Sequence, residues 1–170
     1  WQPRFTFHGF QFVEVTGLPE APTLDTVTGV VLHSDTPLTS KFACSDEMVN
    51  QLYNNIVWTQ RSNFLELPTD CPQRDERLGW TGDAQIYVRA ATFNADAAAF
   101  YTKWIDDLME AQEANGAFPE FAPHPMNHGR DGITWGTGWM DAGIICPYTI
   151  YKVYGDTRII AKHYDAMTRF

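Results

Sequence analysis

Pro68-Thr69-Asp70-Cys71-Pro72-Gln73-Arg74-Asp75-Glu76-Arg77-Leu78-Gly79-Trp80-Thr81-Gly82-Asp83-Ala84-Gln85 is the most informative stretch of this 170-residue chain. It places four carboxylates, two arginines and a tryptophan between two helix-like segments. Its prolines and glycines keep it out of regular structure. Crowding charge costs free energy, so so dense a loop calls for a reason. Carboxylates set beside one another and beside arginine have their pKa values pushed apart, which acid/base chemistry requires. An indole beside such a cluster offers a surface for a sugar ring. The competing reading is a salt-bridged surface loop in which Arg74, Asp75, Glu76 and Arg77 only neutralise one another.

Upstream of this loop, Ser45 is a candidate N-cap with Asp46 and Glu47 in the first turn. Met48, Val49, Leu52, Tyr53, Ile56 and Val57 then recur at helical spacing, predicting a helix to about Ser62. Further upstream, residues 4–16 alternate aromatic with small or polar residues, and residues 26–34 are rich in Val and Thr. Both read as strands, the edge of a β-domain without the rest of its sheet. The opening Trp1-Gln2-Pro3-Arg4 lacks an initiator Met and reads as the middle of a longer protein.

Downstream, Thr81 is a candidate cap for a helix over about 83–93 that would bury Ile86, Tyr87, Ala90 and Phe93. Asn94 or Asp96 opens a third helix, whose stripe is Ala97, Phe100, Tyr101, Trp104, Ile105, Leu108 and Met109, with Gly116 as its stop. A long Pro-, Gly- and His-rich connection follows over 117–138, a length associated with function. A fourth helix is expected from Trp139 to about Tyr154, apolar nearly all round, with Pro147 either kinking it or lying in its first turn. Gly155-Asp156-Thr157 is a stop and restart before a last amphipathic helix that reaches Phe170. Helices apolar all round alternating with amphipathic ones suggest stacked pairs in a helical toroid. Five helices leave such a toroid open, with inner faces lacking partners.

Composition narrows the function. Hydrophobic residues make up 44% and aromatic residues 14%, enough for a sizeable core, and the formal net charge is −9. An acidic surface argues against nucleic acid and against an anionic membrane, which both attract Lys/Arg patches. No apolar run is long enough to span a bilayer. Cys44, Cys71 and Cys146 are widely separated and read as buried free thiols rather than a disulfide framework or zinc site.

The run from Leu67 to Gln85 resembles the signature of the inverting α-L-rhamnosidases of glycoside hydrolase family 78. Arg4-Phe5-Thr6-Phe7-His8-Gly9-Phe10 with Val13-Glu14-Val15 is similar to the strand that precedes the catalytic domain there. Gly138-Trp139-Met140-Asp141-Ala142 resembles that family's Gly-Trp-x-Asp-Ala segment. The resemblance implies a mainly α fold, part of an (α/α)6 helical toroid preceded by two β-strands from a β-sandwich or linker region. Residues 1–43 would be the β-segment and 44–170 the partial catalytic domain. It implies cleavage of terminal α-L-rhamnose with inversion, using two carboxyl groups about 6.5–9.5 Å apart with water between them.

Carried over by position, Glu76 matches the general acid, while Asp70, Arg74, Trp80 and Asp83 match residues lining the rhamnose site. Trp139 matches a further stacking aromatic, with Trp135 close by as the alternative. The general base has no matching segment before Phe170 and is expected outside this chain. The residues suit this chemistry: Asp70 and Asp83 would raise the Glu76 pKa by like-charge repulsion, and Arg74 would oppose them or hold a sugar hydroxyl. Trp80 offers an apolar face to the methyl group of a deoxy sugar. No cofactor is implied. The partners are a rhamnose-containing glycoside or polysaccharide and the remainder of the catalytic domain.

Rival readings are a metal site from Glu120, His124, His128 and Asp131, a non-catalytic sugar-binding module using Trp80, Trp135 and Trp139, and a helical-toroid glycosidase or lyase for other sugars. Pro123 and Pro125 disfavour the helix that His-x-x-x-His ligation prefers, so both histidines read as surface-loop residues. A binding module has no use for a tuned acid. A lyase on acidic sugars would be expected to have a more basic cleft.

Overall fold

The computed structural model describes residues 1–124 and 136–170. Among these residues five helices carry the fold: α1 (Glu47–Asn63), α2 (Thr81–Asn94), α3 (Ala98–Glu110), α4 (Ala142–Tyr154) and α5 (Thr157–Arg169). Between α1 and α2, β1 (Phe64–Leu65) and β2 (Leu67–Pro68) form a minimal antiparallel hairpin. Its tip, Glu66, has a φ of +67°.

Among the described residues, the expected strands at 4–16 and 26–34 are not formed. Residues 1–43 carry only one isolated bridge, Leu38 to Ala95. Phe5, Phe10, Phe12, Val30 and Val31 are exposed. A strand exists by pairing, and nothing described here lies alongside these segments to supply a ladder. The segment is instead bolted on at points. Gly9 N donates to Pro72 O, Ser34 N to Phe64 O, Thr39 N to Asn94 O and Asp96 N to Pro37 O, all at 2.7–3.0 Å.

The cap of α1 is Asp46 rather than Ser45. The Asp46 carboxylate accepts from Met48 N at 2.9 Å and Val49 N at 3.3 Å, and adds charge where the helix dipole favours it. Only Val57 of the predicted α1 stripe is buried, and Met48, Leu52 and Ile56 face outward. In α2 the predicted face is also displaced. Ile86 and Phe93 are exposed, while Ala84, Val88 and Ala91 are buried. Small side chains let α2 lie close to α4, its main packing partner. Thr81 does not cap α2; its hydroxyl donates to the carbonyls of Pro119 and Glu120.

The α3 stripe is as predicted: Phe100, Tyr101, Trp104, Ile105 and Leu108 are all buried. This helix ends at Glu110, before Gly116. Gly116 serves a different contact. Its φ is +92°, and a β-carbon there would fall 2.1 Å from Arg169 O at the end of α5. The α4 helix starts at Ala142, three residues later than expected, and Pro147 sits in its interior. Gly155 ends it in the left-handed conformation, φ +71°, as the stop signal predicts.

Helix α4 packs on α2, α3 and α5, and α3 also touches α5. The shared core runs from Phe64 through Val88, Tyr101, Trp104 and Leu108 to Cys146 and Ile150. Phe64 anchors the hairpin in it, stacked on Phe100 at 4.2 Å with an 11° interplanar angle. Cys71 and Cys146 are buried free thiols, but Cys44 is exposed. Burial drives the Cys146 thiol well above its ordinary pKa.

Candidate active site

A cleft of about 470 Å³ opens between the end of α1, the β-hairpin and the start of α2. Asp70, Gly82, Asp83, Gly138 and Trp139 line it, together with Gln60, Asn63, Tyr87 and Tyr101. Three of the predicted site residues therefore meet at one concavity: Asp70, Asp83 and Trp139.

Asp70 is fixed by the loop it begins. Its Oδ1 accepts from Leu78 N at 3.1 Å, and its own N–H donates to Leu78 O at 3.3 Å, closing residues 70–78 into a loop. Glu76 lies within that loop. A carboxylate oxygen of Asp70, the Cys71 sulfur and a carboxylate oxygen of Glu76 all lie within 4.8 Å of one another. Arg74 reaches back to Glu76, Nη2 to Oε2 at 2.6 Å, and the Cys71 thiol, then Glu76, raise the pKa of its guanidinium. The side chains of Arg74 and Glu76 are 62% and 38% exposed, so this ion pair adds little to stability.

Asp83 stands in the first turn of α2. Its pKa is raised, first by partial burial and then by repulsion from Asp70 and Glu76. Asp83 thus feels both carboxylates from the edge of the cleft. Glu76, on the 70–78 loop, is held in its ion pair with Arg74.

Trp139 is set over the start of α2 by glycine. A β-carbon on Gly82 would lie 2.8 Å from the indole nitrogen. The turn before Trp139 is gripped at both polar ends of Gly138: Gln85 Nε2 donates to its carbonyl, and its N–H donates to Asp141 Oδ2 at 2.8 Å. Trp80 sits apart from the cleft lining. Its ring meets Phe121 edge-on at 5.1 Å, and its Nε1 is buried without a hydrogen-bond partner among the described residues.

Gln60 was not singled out in the sequence, yet it organises the cleft floor. Its Oε1 accepts from Tyr87 OH at 3.0 Å and from Asn94 Nδ2 at 2.9 Å. The signal was available, since Gln60 and Asn63 are polar residues continuing the face of α1 that buries Val57. Of the rival metal set, His124 stacks on Phe121 at 4.8 Å, while His128 and Asp131 lie outside the described residues, as does Trp135.

Residues 37–170 match the bacterial alpha-L-rhamnosidase six-hairpin glycosidase domain, and residues 1–33 match the bacterial alpha-L-rhamnosidase concanavalin-like domain. The chain belongs to the bacterial alpha-L-rhamnosidase family. An alpha-L-rhamnosidase from Streptomyces avermitilis is 48% identical over 95% of this chain. One from Formosa agariphila is 42% identical over all of it. The chain spans 15% and 18% of the length of these two curated relatives. The crystal structure of the Streptomyces avermitilis alpha-L-rhamnosidase complexed with L-rhamnose superposes with a TM-score of 0.91 at 46% identity, covering 99% of this chain and 16% of that one.

Proposed function

We propose that this chain is the front part of the catalytic domain of an α-L-rhamnosidase that removes terminal α-L-rhamnose from glycosides with inversion. Residues 44–170 contribute the first hairpins of an (α/α)6 toroid, and residues 1–43 contribute two strands that pair only within the preceding β-domain. The observation that supports the reading is the meeting of Asp70, Asp83 and Trp139 at one cleft, with Glu76 on the adjoining loop within 4.8 Å of Asp70, in a chain of this family.

In this reading Glu76 donates its proton to the leaving oxygen. Arg74, paired with Glu76, orients that carboxyl and offers its remaining donors to a sugar hydroxyl. Asp70 and Asp83 accept hydrogen bonds from ring hydroxyls at the cleft. Trp139 offers its apolar face to the ring, while Trp80, packed on Phe121 outside the cleft lining, would reach the sugar only if the filled site brings it there. The general base that activates water stands about 6.5–9.5 Å from Glu76 and comes from sequence beyond these 170 residues.

The test is Glu76→Gln in the full-length polypeptide. A rhamnosyl disaccharide, with a poor leaving group, should lose about 100-fold or more in turnover, while a nitrophenyl rhamnoside should lose far less. Near-wild-type turnover of the disaccharide would remove Glu76 from the acid role.

A further inference from the structure

The loop that carries Glu76 is held on both shoulders by the start of the chain. At one shoulder Gly9 N donates to Pro72 O at 3.0 Å. A β-carbon on Gly9 would fall 2.8 Å from that oxygen, so the approach depends on glycine. At the other, Arg77 Nη1 donates to Phe7 O at 3.0 Å, and the guanidinium lies 5.1 Å over the centre of the Phe7 ring. Arg77 directly follows Glu76 and has a φ of +34°, a conformation that a residue with a β-carbon keeps only when its surroundings enforce it. Its remaining ion partner, Asp75 at 3.5 Å, is fully exposed and restrains it little. Beyond the Asp70–Leu78 closure of the loop, the contacts to Phe7 are the ones that hold the Arg77 side chain.

We infer that Arg77, gripped by Phe7, and Gly9, seated on Pro72, set the direction of the Glu76 carboxyl. Arg77 is a positioning residue for the acid step. The segment that matches the concanavalin-like domain is then a working part of the site rather than a neighbour of it. This inference rests on Glu76 being the proton donor. Its consequence is selective: a misdirected acid slows substrates whose leaving group needs a proton and leaves binding of the sugar ring intact.

The experiment compares kcat on a rhamnosyl disaccharide with kcat on a nitrophenyl rhamnoside in the full-length protein. The ratio of the two is independent of how much enzyme is folded, so a partly unstable variant still reports. Arg77→Gln and Gly9→Ala should each lower the disaccharide rate about tenfold relative to the aryl rate, with KM held within about twofold. Arg77→Lys, which keeps a cation over Phe7, should recover part of the loss. Glu76→Gln is the reference for a lost acid. If it changes the ratio while Arg77→Gln and Gly9→Ala do not, the positioning role is overturned and the acid assignment stands. If Glu76→Gln leaves the ratio unchanged, both are overturned.

Discussion

Gly82 lies directly beneath the indole of Trp139, so close that a β-carbon on Gly82 would meet Nε1 at 2.8 Å and Cε2 at 2.9 Å. Gly82 belongs to the first turn of α2 and Trp139 to the turn before α4, and their contact joins the two. The missing side chain at 82 is what makes room for an aromatic wall beside Asp83.

Gly82→Ala should therefore move Trp139 without unfolding the domain. Alanine favours the helix by up to about 1 kcal/mol, while overpacking costs about 1–3 kcal/mol. The net change in unfolding free energy should be small. Binding should suffer more: in the full-length protein, KM for a rhamnoside should rise about tenfold, and the quench of tryptophan fluorescence by L-rhamnose should weaken. Wild-type KM with unchanged fluorescence would mean that Trp139 is not a wall of the sugar site.

Trp104 is fully buried, and its Nε1 donates to Ala122 O at 2.9 Å. Ala122 N in turn donates to Gly79 O, next to Trp80. Trp104→Phe should leave the Ala122 carbonyl unpaired and cost about 1–3 kcal/mol in urea unfolding. Lys103→Ala, one residue away on the exposed face and losing only the pair with Asp107, should stay within about 0.5 kcal/mol.

His163 of α5 is buried, with Nε2 2.9 Å from Asp106 Oδ1 of α3 but poorly aligned for a hydrogen bond. Lys162 also reaches Asp106, at 2.7 Å. Burial is the largest influence and lowers the histidine pKa; Asp106 opposes it and Lys162 reinforces it. The folded state thus prefers neutral imidazole. Its contribution to stability is complete above the ordinary histidine value of about 6.5 and is lost as pH falls through the lower folded pKa. One proton limits the slope to about 1.4 kcal/mol per pH unit. Denaturant midpoints should fall between pH about 7 and pH about 5, and His163→Gln should flatten that part of the profile. An unchanged slope in the variant would assign the acid sensitivity to other groups.

Met48, Leu52 and Ile56 on α1, Ile86 and Phe93 on α2, and Ile145 and Tyr148 on α4 are all exposed. Apolar surface of this extent drives association. The 170 residues expressed alone should run larger than 19.3 kDa by light scattering. They should also show no hydrolysis of an aryl rhamnoside if, as proposed above, the base that activates water lies outside them. A monomer with inverting activity would place the base among the carboxylates of this chain.

What the sequence by itself determined is what neighbouring residues decide between themselves. The 3.6-residue period marks the buried face of α3, because Phe100, Tyr101, Trp104, Ile105 and Leu108 all point to one core. The density of charge between Pro68 and Gln85 marks the loop that borders the cleft. The period misleads on α2, where it favours the large apolar residues Ile86 and Phe93, while close packing on α4 selects Ala84, Val88 and Ala91. It misleads on α1 as well, since an apolar stripe tells that a face can be buried, not what arrives to bury it.

Tertiary structure decided the rest. The strands expected near Phe7 and Val30 have no ladder here, since pairing needs a second chain segment at about 4.8 Å. Trp139 reaches Gly82, and Phe7 reaches Arg77 across a separation of 70 residues. No local propensity encodes such meetings. They depend on the path the chain takes between them, and that path is set by the packing of α4 on α2 and by the points at which residues 1–43 are tied to the loop.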